Sequence, residues 1–255
     1  MEQIFALFTP SELLAAFAVT VLAGVIKGAV GFAMPMIMIS GLGMFLSPEL
    51  ALAGLILPTA LTNGQQALRQ GVSAAIGSMK RFRVFLLVGL VFLLISAQLI
   101  RFLEPATYLL VLGIPVTFFA LLQLLGLRLK LSAPSVRIEA GVGALAGFIG
   151  GVSGVWGPPT VMYLTALDTP KTEQIRVQGV IYGLGAIALL VAHIGSGVLN
   201  ADTWRFSAVL IVPAMAGMWV GSRLHDRIDQ VTFRKATLFV LLIAGLNLVR
   251  RGLLV

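Results

Sequence analysis

The stretch Ala23-Gly24-Val25-Ile26-Lys27-Gly28-Ala29-Val30-Gly31-Phe32-Ala33-Met34-Pro35 has a counterpart 123 positions on, Ala146-Gly147-Phe148-Ile149-Gly150-Gly151-Val152-Ser153-Gly154-Val155-Trp156-Gly157-Pro158-Pro159. Over Ala23–Met38 and Ala146–Val161 the two match at six of sixteen positions: Ala23/Ala146, Gly24/Gly147, Ile26/Ile149, Gly28/Gly151, Gly31/Gly154 and Pro35/Pro158. That exceeds what shared glycine and alanine richness ordinarily gives, and it reads as an internal repeat. Each copy falls in a long apolar stretch, Leu13–Leu46 and Ala140–Leu167. Pro35 and the Pro158-Pro159 pair donate no backbone hydrogen bond and clash with a preceding helical turn, so a continuous helix is not expected in either place. Non-helical backbone at membrane depth is tolerated only where it is buried in protein or lines a cavity. Matched Gly/Pro interruptions in two halves therefore point to a transporter's binding site. A plainer reading, that Gly24, Gly28 and Gly31 only let helices pack closely, explains the glycines but not the matched prolines.

Working outward, the chain divides into residues 1–130 and 131–255, joined through Leu131–Arg137, where Ser132, Pro134 and Ser135 read as a linker. Its 255 residues are 58% hydrophobic and 11% charged, against roughly 45–50% and about 25% in soluble domains, which excludes an ordinary cytosolic enzyme. Leu50–Leu68, Val84–Ile100, Ala106–Leu125 and Phe206–Gly221 approach or reach the roughly 20 residues of a membrane-crossing helix. They are apolar all round, which argues against the alternating strands of a barrel. The expected class is an all-α integral membrane protein. Met1-Glu2-Gln3 lacks the basic region of a cleaved signal, so the N-terminus is expected to be retained. The net charge of +8 sits in short turns between spans, which suits anionic lipid headgroups rather than nucleic acid. Cysteine is absent, as are a Walker A sequence and a metal-ligand cluster, so neither cofactor nor metal is expected.

Loop charges test how the broken segments cross. If every segment crosses once, the basic residues divide ten against seven, which decides nothing. If each broken segment dips in as two short helices and returns, thirteen share one face: Arg69, Lys80, Arg81, Arg83, Arg128, Lys130, Arg137, Lys171, Arg176, Arg223, Arg227, Arg234 and Lys235. Arg101, Arg205, Arg250 and Arg251 remain on the other, a clear bias. Each half is then a broken hairpin plus about three crossings. The odd count inverts the second half, with both termini outside. The last span, Ala236–Val249, is short and borrows Val231–Lys235, with Arg234 and Lys235 snorkelling.

The two Gly-rich segments quoted above resemble the TauE/SafE family of sulfite and organosulfonate exporters, and the resemblance covers nearly the whole chain. It implies a bacterial-type inner-membrane transporter of two related halves, with sulfite, sulfonates or other small anions as substrates. Ala33 departs from the related pattern, which often carries glycine there.

Lys27 is the clearly charged side chain deep inside an apolar segment. Such residues cost about 2.5–3.5 kcal/mol near the bilayer centre and usually face a cavity. Beside the glycines of a broken helix, freed N–H groups and a positive half-helix end also favour an anion, which makes Lys27 the charge partner of the substrate. A lysine snorkelling from a hairpin tip is the alternative. Gly28, Gly31 and Phe32 flank it in the first copy. Gly151, Ser153, Gly154 and Trp156 occupy the second, offering backbone donors, a hydroxyl and an indole N–H, although Trp156 is equally a packing residue. Asn63, Gln65, Gln66 and Gln178 line a pathway or bond between helices. All ten acidic residues lie near predicted span ends, so a carboxylate relay for protons or sodium is not supported. That suits a simple anion facilitator, with export favoured by an interior-negative potential. His193, near a helix end, is a candidate proton-linked group.

A rhomboid-like membrane serine protease is the rival, because Gly151-Val152-Ser153-Gly154 matches Gly-x-Ser-Gly and His193 is available as base. Against it, the repeat aligns Ser153 with Val30, and Trp156-Gly157-Pro158-Pro159 breaks the helix that should follow the nucleophile. A purely structural membrane subunit is the third reading. The named anion, the direction and the oligomeric state are not readable, and a homo-oligomer is compatible with these residues.

Overall fold

The computed structural model describes residues 9–99, 105–127, 130–131, 133–153, 156–195, 199–200 and 203–254; Arg101 and Arg128 of the charge count and Ser132 of the linker lie outside them. Among the described residues the chain forms helices and no strands. In chain order these are α1 (Pro10–Val30), α2 (Met34–Leu42), α3 (Pro48–Leu68), α4 (Val72–Arg81), α5 (Arg83–Leu99) and α6 (Pro105–Leu124). There follow α7 (Val136–Ser153), α8 (Gly157–Ala166), α9 (Lys171–Gly195), α10 (Thr203–Val209), α11 (Ile211–Arg227) and α12 (Gln230–Leu254). Among the described residues three helical stretches are long and apolar enough to cross a membrane by length and composition: Pro10–Val30, Thr203–Arg227 and Gln230–Leu254.

The broken segments show which residue does the breaking. α1 opens on a capping box, in which the Thr9 hydroxyl accepts the Glu12 N–H while the Glu12 carboxylate accepts the Thr9 N–H. It closes at Gly31, whose φ of 89° lets its N–H reach back to the Lys27 carbonyl at 2.7 Å. Ala33, at φ 74°, turns the chain into α2. Proline then falls in the first turn of α2 and again of α8, where its missing N–H has no intrahelical partner to lose. Glycine stops the outgoing helix; proline starts the returning one.

The expectation of two short limbs per hairpin needs correction. α2 and α8 are short, at 9 and 10 residues, but α1 and α7 have 21 and 18. At 1.5 Å per residue α1 spans about 30 Å, a bilayer's hydrocarbon thickness. α12 differs as well, for it runs unbroken over 25 residues. Arg234 does not snorkel there; its guanidinium donates to Gln123 Oε1 at 2.7 Å and lies 3.9 Å from Asp168.

α3 continues through Pro58, which leaves the Gly54 carbonyl without its donor. Ser207 of α10 repairs the gap: its hydroxyl lies 3.4 Å from the Gly54 oxygen and accepts the Leu57 N–H at 3.0 Å. A neighbouring serine thus completes the ladder, as polar side chains do around prolines in membrane helices.

The main helix pairs are α1 with α11, α5 with α7, α6 with α12 and α3 with α9. Small residues let these backbones meet. A Cβ on Gly24 or Gly28 would overlap the carbonyls of Ala214 or Met218, and one on Gly217 or Gly221 would overlap those of Val21 or Val25. Gly147 meets Gly89 in the same way, and a Cβ on Gly113 would lie 2.7 Å from Val249 N. With apolar tails on the outside, close van der Waals contact is what holds such helices together.

The outer surface is apolar, with Leu87 65% and Phe239 58% exposed, whereas Lys27, Asn63, Gln66 and Gln178 are buried. At one end of the bundle a belt of polar contacts joins Arg69 to Asp226, Arg81 to Glu173, Lys130 to Asp168 and Lys171 to the His225 carbonyl. Glu139 is a buried exception among the acidic residues, accepting the Phe85 N–H at 3.0 Å near the start of α5.

Stability changes at three positions follow from these geometries. Gly221→Val, which drives a side chain into the Val25 carbonyl, is expected to cost about 1–3 kcal/mol and lower the melting temperature in detergent. Gly77→Ala, whose Cβ meets nothing within 4 Å, is expected to gain about 0.5–1 kcal/mol. The left-handed Ala33 carries roughly 1–2 kcal/mol of strain, so Ala33→Gly should melt no lower than the native chain and Ala33→Val distinctly lower.

Candidate functional site

The tips of the two hairpins meet in the interior. Phe32, in the turn between α1 and α2, packs toward Gly157, the first residue of α8. Around this meeting point lies a cavity of about 20 Å³ lined by Lys27, Pro35, Thr59, Asn63, Trp156, Gly157 and Tyr182. That is room for about one water molecule.

Lys27 enters from the last turn of α1 and is 1% exposed. Its ammonium donates to the Asn63 Oδ1, and among the described residues no carboxylate pairs with it. Committing Oδ1 to the lysine leaves the Asn63 Nδ2, a donor, buried and unpartnered. Thr59, one turn earlier on α3, has an unpartnered buried hydroxyl. Opposite, on α9, the Tyr182 hydroxyl donates to the Gly157 carbonyl at 3.2 Å. α2 and α8 both begin at this cavity; Met34 and Met36 keep N–H groups in the first turn of α2, whereas in the first three residues of α8 only Gly157 does, since Pro158 and Pro159 have none.

Of the residues singled out in the sequence, Lys27, Asn63 and Trp156 line the cavity, and Phe32 packs at its edge. Gly31 provides the left-handed turn. Gly28 instead packs against α11, and Gly151 is buried within α7. Gln66 and Gln178 stand outside the cavity lining: the Gln66 Nε2 donates to the Gly31 carbonyl at 3.2 Å, and Gln178 lies against Gly31. Trp156 is wedged against Gly150 and Gly185, which explains its bulk by packing. Gly154 and the side chains of Ser153 and His193 lie outside the described residues.

Thr59 and Tyr182 went unnoticed in the sequence, although they stand 123 positions apart, the spacing of the two Gly-rich segments. His225 also escaped notice. Fully buried, it places Nδ1 3.2 Å from the Ala29 carbonyl and its ring edge-on to Phe233. It braces the end of α1 at a carbonyl with no later helical turn to bond.

Comparison with curated proteins and with solved structures finds no match. The family model described as sulfite exporter TauE/SafE matches residues 16–248, which take in every residue of the cavity. Its members are transporters rather than enzymes, which leaves the Ser153–His193 protease without support. A match that runs through both hairpins and both walls of the cavity establishes that the chain belongs to the sulfite exporter TauE/SafE family of membrane transporters.

Proposed function

We propose that this transporter moves small oxyanions of the sulfite and sulfonate class out through the inner membrane, holding each between the two hairpin tips with Lys27 as its charge partner. The observation that carries this reading is the Lys27 side-chain amine, buried, bonded to a neutral amide and, among the described residues, paired with no carboxylate. A buried charge without a partner costs several kcal/mol, and a bound anion supplies what is missing. The uncommitted polar groups nearby are the Asn63 amide donor and the Thr59 hydroxyl, and two half-helix starts add their dipoles. Among the described residues no carboxylate lines the cavity, which suits an anion facilitator driven by the membrane potential, at about 2.3 kcal/mol per charge per 100 mV. The cavity is smaller than such an anion, so loading requires the tips to part.

The same reading makes residues 1–130 and 131–255 two inverted repeats with multiple crossings. In its support, α2 and α3 begin 123 positions before α8 and α9. Exchanging the halves turns the α1–α11 pair into the α7–α5 pair and returns α3–α9 and α6–α12 to themselves. The polar belt is then the cytoplasmic end.

Lys27→Met is expected to lower sulfite flux in proteoliposomes at least about tenfold and abolish the rise in melting temperature that sulfite causes, with Lys27→Arg keeping part of both. Without ligand, Lys27→Met should melt no lower than the native chain, because an unpaired buried charge is gone. Unchanged flux in Lys27→Met rejects the site. A reporter fused after Val255 is expected outside the cell; a cytoplasmic reporter rejects this orientation, with the polar belt inside and both termini outside.

A further inference from the structure

Below the central cavity, toward the polar belt, a second cavity of about 450 Å³ is lined by Gly28, Gln65, Gln66, Arg69, Ile175 and Ser222 among others. Trp219 also borders it, and the Arg223 guanidinium stacks 3.4 Å above the Trp219 ring centre. Arg69 and Arg223 thus stand at this vestibule with Asp226, the partner of Arg69.

Two matching stripes join the cavities. On α3, Thr59 and Asn63 line the central cavity, while Gln66 and Arg69, one and two turns further on, line the vestibule. On α9, Tyr182 lines the central cavity and Ile175 the vestibule, with Gln178 between them on the same face. Gln178 is 0% exposed, yet neither its amide nitrogen nor its oxygen has a partner. Gln66 spends its nitrogen on the hairpin turn and leaves its oxygen unpartnered. Buried polar groups ordinarily find partners, and one left whole at a junction between two cavities has its partner elsewhere.

We infer that the anion passes between the central cavity and the Arg69 vestibule along the α3–α9 seam, and that the Gln178 amide contacts it at the narrowest point. This rests on the anion-transport reading given above. Nε2 donates to the oxyanion in transit, and the Gly31 turn, pressed against Oε1, must shift for the passage to widen. A neutral amide serves here because it binds without holding the anion as firmly as Lys27 does, so the ion moves on.

The test is sulfite flux in proteoliposomes together with sulfite binding in detergent, both on the full chain. Gln178→Glu sets a fixed carboxylate against the anion and is expected to cut flux at least about tenfold while the binding constant stays within about threefold. Flux within about threefold of the native chain overturns the inference, as does binding that weakens in step with flux. The chain has no cysteine, so Gln178→Cys offers a single thiol should the glutamate variant fail to fold. Its modification by a sulfonate-bearing thiol reagent, slowed by an unreactive alkylsulfonate such as methanesulfonate, is expected; no modification overturns the path. Lys27→Met separates the two readings: flux kept there but lost in Gln178→Glu leaves the path standing and removes the lysine site.

Discussion

Backbone polar groups inside a membrane must find partners in the protein, and the two hairpin breaks place several of them at depth. Each break is closed by a side chain from a helix it does not belong to. The Gly31 carbonyl takes the Gln66 amide, the Ala29 carbonyl faces His225, the Gly157 carbonyl takes the Tyr182 hydroxyl, and the Gly54 carbonyl freed by Pro58 takes Ser207. Those partners come from α3, α11, α9 and α10, so the breaks are stable only with the rest of the bundle folded around them.

Around the central cavity this closing of gaps is incomplete. Asn63 Nδ2, Thr59 Oγ1 and both polar atoms of Gln178 remain buried without partners, and Lys27 has an amide where a carboxylate would neutralise it. Thr59 and Asn63 lie on α3, Gln178 faces them from α9 and Lys27 reaches in from α1; other buried atoms without partners, among them Thr117 Oγ1, Tyr163 Oη and Thr237 Oγ1, lie elsewhere in the bundle. A bundle that repairs a proline gap with a dedicated serine leaves this seam open to a solute that brings its own charge and acceptors.

Much of this was legible in the sequence because it depends on local chemistry. Hydrophobic bulk declared the class, the repeated Gly/Pro pattern located both breaks, and Lys27 stood out in an apolar run. What stayed hidden depends on partners distant in the chain. Gly28 reads like Gly31, but one is a contact surface for Met218 and the other a left-handed turn, and only the approach of α11 separates them. The limb lengths were misjudged because a proline looks like the end of a helix even when it begins the next. Thr59 and Tyr182 look like ordinary polar residues in spans until α3 and α9 face each other. Arg234 was assigned to the interface because Gln123, its partner, lies more than a hundred positions away.

The same division between backbone packing and side-chain bonding decides which contacts can change during transport. α1 is held to α11 by glycines on both helices, with carbonyls so close that even a methyl group has no room. Such a contact has no intermediate arrangement; the helices stay in register or separate altogether. Toward α3 and α9 the end of α1 is held differently, by Lys27 on Asn63 and Gln66 on Gly31. Exchanging either bond for one to an anion keeps the donor satisfied but frees an acceptor, Asn63 Oδ1 or the Gly31 carbonyl, at about 1–3 kcal/mol unless another donor reaches it. The hairpin thus meets α11 through backbone packed on backbone and meets α3 through side-chain hydrogen bonds, the weaker and more local of the two constraints.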